Sequence, residues 1–208
     1  MSIRDILVPL LQERFPDRGL TLGDPQDPIA SFPAAHPDVG PASVWEGSGS
    51  GADVAVGDVA HDHFFNPYEE ERGTPEAAEG IARNVVRFLE ELFADRLLMW
   101  RSVDGRTKGW RERGEAGHTA PLVVDDRAYH TYIWSRPLGI WQATPTILAR
   151  GRILDDREYE IMVQRVTDDG PGRLQAGERD LARRIVADYE REIRASDSTE
   201  GDRKSLPG

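Results

Sequence analysis

The sequence predicts an α+β fold, a mixed or mainly antiparallel sheet covered by a central amphipathic helix plus N- and C-terminal helices. Three observations carry this. Residues 74–95 place apolar side chains at helical spacing, and short runs rich in aromatic and β-branched residues lie on both sides of them. Those runs do not alternate with helices in the order that a parallel βαβ sheet requires. The 208 residues fit one α+β domain over 1–195 and a polar tail over 196–208 that is expected to fray.

Ser2 with Asp5 three residues later forms a capping box, and Ile3, Ile6, Leu7, Leu10, Leu11 and Phe15 fall on one face of the helix that follows. Pro9 falls on the wet face, where a bend is expected. Pro25, Pro28, Pro33, Pro37 and Pro41 then forbid helix and disfavour a central strand, so an extended surface segment pinned by Ile29 and Phe32 is expected. Ala42–Glu46 and Asp53–Val59 are β-type runs joined by Gly47-Ser48-Gly49-Ser50-Gly51, a hairpin.

Thr74, Pro75 and Glu76 are a cap, a proline for the first helical position and a carboxylate for the positive end of the dipole. Ala78, Ile81, Ala82, Val85, Leu89, Leu92 and Phe93 mark the core face of this central helix, which ends near Asp95. Leu97–Trp100 reads as a strand buried on both faces. The polar stretch 102–120 reads as a loop, with Arg101, Arg106, Lys108, Arg111 and Arg113 gathered around Trp110. Leu122–Val124, Tyr129–Trp134, Gly139–Trp141 and Thr146–Leu148 read as short antiparallel strands cut by Pro137 and Pro145. Asp155 and Glu158 cap a helix to Val166, and Leu181, Ala182, Ile185, Tyr189 and Ile193 mark the face of a last helix over 178–194.

Several functions are disfavoured by composition. The absence of cysteine removes disulfides, thiolate metal sites and cysteine nucleophiles, and suits a reducing, cytoplasmic setting. Net charge −11 argues against general nucleic-acid binding, and no apolar stretch approaches the length of a membrane span. Gly47–Gly51 lacks the Gly-Lys-Ser/Thr ending of a P-loop, and a glycine occupies the centre where a nucleophile elbow needs serine.

Charge placement is more telling. Between Asp53 and Glu79 eight carboxylates meet one cation, Arg72, so this segment holds −7 of the total −11. An acidic run, Glu69, Glu70 and Glu71, beside the aromatics Phe64, Phe65 and Tyr68 suits a protein partner with a basic surface, and Trp110 with Arg111 offers a second contact. The expected function is a non-enzymatic acidic binding module, an adaptor or an immunity-like neutralising protein, with no catalytic residue and no cofactor. The alternative is a metal-assisted hydrolase: His61 and His63 are two apart, so in a strand both imidazoles face one side, where a divalent metal would need Asp62 or a distant carboxylate as well.

Overall fold

The structure, a computed structural model, describes residues 2–24, 27–47, 51–65, 74–113, 121, 125–170 and 173–203, the side chains of 196–203 excepted. The chain forms two compact units, Met1–Leu122 with Tyr129–Trp141, and Val123–Ala128 with Gln142–Gly208. The α+β expectation holds, with two antiparallel sheets in place of one.

In the first unit α1 (Ile3–Arg14) starts on the predicted capping box: Ser2 Oγ accepts from the Asp5 amide and the Asp5 carboxylate accepts from the Ser2 amide at 2.9 Å. Ile3, Leu7 and Leu11 are buried, and the helix continues past the exposed Pro9 to Arg14. β1 (Thr21–Leu22), β2 (Ala30–Phe32), β3 (Ala42–Glu46), β4 (Ala52–Val56) and β5 (Ala60–Phe64) then form a meander in that spatial order, every pair antiparallel. Ile29 and Phe32 are buried, as expected of pins. The reading of 23–43 as merely extended is corrected, because β2 lies between β1 and β3. Pro28 and Pro33 flank this three-residue strand without entering it, so no ladder donor is lost.

α2 (Pro75–Phe93) begins where predicted, with Thr74 Oγ1 accepting from the Ala77 amide at 3.2 Å. Every expected core residue of this helix is buried, and Phe88 joins them. α1, α2 and the inward side chains of β2–β5 share one core, in which Phe15, Phe32 and Phe93 meet edge to face at centroid distances of 5.0–5.5 Å. Asp95 follows in the left-handed region at φ 58°, and its carboxylate accepts from the Ser135 amide at 2.9 Å and hydroxyl at 2.6 Å.

The second sheet contains β6 (Leu97–Ser102), β7 (Lys108–Glu112), β8 (Tyr129–Ile133) and β9 (Arg136–Trp141) in the order β7-β6-β8-β9. Leu97, Leu98, Met99 and Trp100 are all buried, as the continuous apolar run predicts. The loop expected over 102–120 contains β7, which pairs with β6 through Met99↔Trp110 and Leu98↔Arg111. Its charged residues are tolerated because it is an edge strand, and Gly109 is required because a Cβ there would lie 2.8 Å from the Trp100 ring. Pro137 likewise sits inside β9, the opposite edge, rather than ending a strand. Residues 122–124 and 114–120 lie outside the described residues.

The second unit is helical: α3 (Ala143–Arg150), α4 (Asp156–Thr167) and α5 (Ala176–Arg203). The strand expected at Thr146–Leu148 is corrected to helix. Pro145 lies in the first turn, where no amide is needed, Gly151 closes the helix at φ 76°, and Asp126 Oδ1 caps it by accepting from the Thr144 amide at 2.7 Å. α4 starts on Asp155, whose carboxylate accepts from the Glu158 amide at 2.9 Å. Glu158 does not complete the box; its carboxylate accepts from the Leu154 amide at 2.8 Å and pairs with Arg150. Tyr159 stacks on Tyr189 at 5.5 Å, and the Tyr189 hydroxyl donates to Asp156 at 2.9 Å. Burial, reinforced by that bond, pushes the Tyr189 phenol up to about 12. α5 runs to Arg203, since extending an existing helix adds a bond for each residue fixed, and the rest of the polar tail, 204–208, lies outside the described residues. No helix among the described residues is long and apolar enough to cross a membrane.

Candidate functional site

Alternation along the first sheet sorts its side chains into two sets. Ala42, Val44, Ala52, Val54, Val56 and Ala60 are buried on the face toward α1 and α2, while Ser43, Trp45, Asp53, Ala55, His61 and His63 take the intervening positions. Register then aligns the outward set into rows. Trp45 lies opposite Asp53 and Asp53 opposite His63, while Ser43 lies opposite Ala55 and Ala55 opposite His61. Tight turning between β4 and β5 depends on Gly57 at φ +45°, where a Cβ would stand 2.3 Å from the Val39 carbonyl oxygen.

Trp45 is 41% exposed and Phe65, just past β5, is 59% exposed. The His63 Nδ1–H donates to Asp53 Oδ1 at 2.7 Å, since an ionised carboxylate only accepts. His61 and His63 share the outward face with ring centroids 5.2 Å apart, as the spacing predicts. Asp62, the nearest carboxylate in sequence, takes the opposite parity of the strand and accepts from the His63 amide. Among the described residues no group of three or more His, Cys, Asp or Glu side chains is placed to hold a metal ion.

The aromatic part of the expected partner surface is redistributed. Phe64 is half-buried and packs edge to face on Phe88 at 5.6 Å, so it belongs to the core margin, whereas Phe65 is exposed as expected. Tyr68, Glu69, Glu70 and Glu71 lie outside the described residues. Trp110 is not on a mobile loop: it belongs to β7 and packs on Phe88 at 4.9 Å, which removes most of its indole from any partner. Arg111 is half-buried on the same strand and occupied by contacts within the protein.

Trp45 is the functional candidate that local reading missed. The signal was present, since Val44 and Val54 are natural inward residues and put Trp45 outward by parity, but a strand in isolation does not say which face stays open. The charge of this sheet is also of one sign. Its strands contain Glu46, Asp53 and Asp62 and neither lysine nor arginine.

Two open cavities carry less promise. One of about 450 Å³ in the second unit is lined by Arg173, Arg179 and Arg183, but Arg179 is held by Asp169 at 3.1 Å and Arg183 pairs with Asp180 at 3.5 Å. Another of about 380 Å³ in the first unit is lined by Arg14, Arg18 and Arg96, which are engaged by Glu90, the Phe93 ring and Glu91 respectively. The cations of the second cavity are thus all engaged, and in the first the Arg179 Nε is left buried without a hydrogen-bond partner among the described residues. No protein-family model matches the chain, and neither a curated protein nor a solved structure is significantly similar to it.

Proposed function

We propose that the protein is a non-enzymatic binding module of the cytoplasm, an adaptor or neutralising subunit, that engages a protein partner with a basic surface through the outward face of the first sheet and the acidic segment after it. One observation carries the reading: that face exposes Trp45, His61 and His63 on strands without a single lysine or arginine. An aromatic side chain supplies anchoring area, and carboxylates without internal cations supply steering toward a basic surface. The test is a titration of the isotope-labelled chain with a basic peptide and with an acidic peptide of equal length, at low and high salt. Shifts confined to β3–β5 and the acidic segment, given by the basic peptide alone and weakened by salt, are expected. Charge reversal by Glu69→Lys, Glu70→Lys and Glu71→Lys should reduce the association rate in the same way. Equal responses to both peptides would discard the reading.

Metal-assisted hydrolysis stays the alternative on one observation, the shared face and 5.2 Å ring separation of His61 and His63. Stoichiometric divalent metal in protein purified without an affinity tag, lost in the His61→Ala, His63→Ala double variant, would put this alternative first.

A further inference from the structure

We propose that Trp45 and Asp53 together form a docking notch for an arginine side chain of a basic polypeptide. The inference rests on the reading of the first sheet as a partner surface, and narrows it to one side chain of the partner. Trp45 and Asp53 are direct cross-strand partners on the outward face. Such pairs hold their Cβ atoms about 5 Å apart, within the span of one guanidinium. Among the described residues neither a ring nor an arginine stacks on the Trp45 indole, whereas the buried Phe93 ring already carries Arg18 at 5.3 Å.

The carboxylate is equally prepared. Asp53 is 41% exposed, and His63 holds its Oδ1, which fixes the orientation of the group and leaves Oδ2 without a bond among the described residues. A guanidinium lying flat on the indole keeps its N–H edge in its own plane, parallel to the ring, where the oxygen of a cross-strand neighbour can accept from it. One side chain thereby gains a cation–π contact and a charge-assisted hydrogen bond together. Lysine cannot do this as well, because its ammonium is a compact, strongly hydrated charge with no planar face to stack. Charge complementarity points the same way, since no lysine or arginine of these five strands competes for Asp53.

The experiment uses the full chain and two short glycine–serine peptides, one carrying two arginines and the other two lysines in the same places. Binding is followed through the Trp45 indole N–H and the Asp53 amide in nuclear magnetic resonance spectra. The arginine peptide should bind roughly 2- to 5-fold more tightly, the worth of one exposed cation–π contact. Trp45→Ala and Asp53→Asn should each abolish that preference while leaving the melting transition in place. A preference that survives both substitutions, or equal binding of the two peptides on this face, overturns the notch and leaves the broader partner-surface reading standing. Silence of the whole face toward both peptides overturns both. Shifts of Trp45 and Asp53 that follow the protein's own concentration would instead assign the notch to a second copy of this chain, and the proposal of a separate basic partner would fall.

Discussion

The two sheets of the first unit are both antiparallel, but they treat their faces differently. β3 and β4 alternate buried and outward residues, so a single face of the first sheet enters the core. β6 buries Leu97, Leu98, Met99 and Trp100 in succession, and β8 buries Thr131, Tyr132 and Ile133. Charge follows the same division: the first sheet has no basic residue in its strands, whereas the second carries Arg101, Lys108, Arg111 and Arg136. Strands buried on both faces, as β6 and β8 are, can hold charge only near their ends, and the edge strands β7 and β9 carry it where it stays wet. The sheet with an open face is free to present side chains to something other than itself. That difference is why Trp45, Asp53, His61 and His63 are read as a surface for recognition, and Trp110 and Arg111 as parts of the framework.

The comparison can be broken most decisively by placing charge in each sheet. Leu98→Asp in β6 buries an unpaired carboxylate and should cost several kcal/mol, enough to abolish cooperative thermal unfolding. Ala55→Asp, at an outward position of β4, should change stability by no more than about 0.5 kcal/mol. Similar melting curves for the two variants would show that the faces are not distinct. Val85→Asp or Leu89→Asp, on the buried face of α2, should behave like the β6 variant.

Smaller effects are expected at the turns. Gly57→Ala should cost about 1–3 kcal/mol, because the new Cβ would strike the Val39 carbonyl in addition to straining a left-handed residue. Gly105→Ala, in the β6–β7 turn at φ +72°, meets nothing within 4 Å and should cost only about 1 kcal/mol. Chemical denaturation of both variants sharpens the contrast between a turn packed against the body and one that projects from it. The outward histidines should matter less still: His61→Ala with His63→Ala should shift stability by under about 1 kcal/mol, since the His63–Asp53 pair is exposed.

The smallest change expected lies outside both sheets. Tyr189 favours its neutral form in the fold, so its contribution is full below the ordinary tyrosine value of 10.0 and is lost as pH rises toward about 12. Tyr189→Phe should flatten the alkaline limb of a stability–pH profile over that window and leave neutral pH nearly unchanged. An unaltered limb would mean that other groups govern it.

How much of this was legible in the sequence depends on where each element finds its partners. α1 and α2 announce themselves because the caps Ser2 and Thr74 and the apolar stripes all lie within a few residues of one another. The β3–β4 hairpin and the burial of β6 are legible for the same reason, through a period of two in one case and an unbroken apolar run in the other. α3 was not, because Gln142 gives no side-chain cap and the bond comes from Asp126, 18 residues from Thr144. β7 was missed because edge position, which excuses its charges, is a property of the assembled sheet.

The candidate site divides along the same line. Sequence alone determined that His61 and His63 would share a face, since strand parity is local, and that the chain would be acidic around them. Only the tertiary structure decided that Asp53 rather than Asp62 would meet His63, that Phe64 would turn to the core while Phe65 stayed out, and that Trp45 would stand beside the carboxylate. Parity fixes which residues travel together. Pairing across strands and packing against α2 fix which set is covered, and those contacts join residues far apart in the chain whose free energies no local window contains.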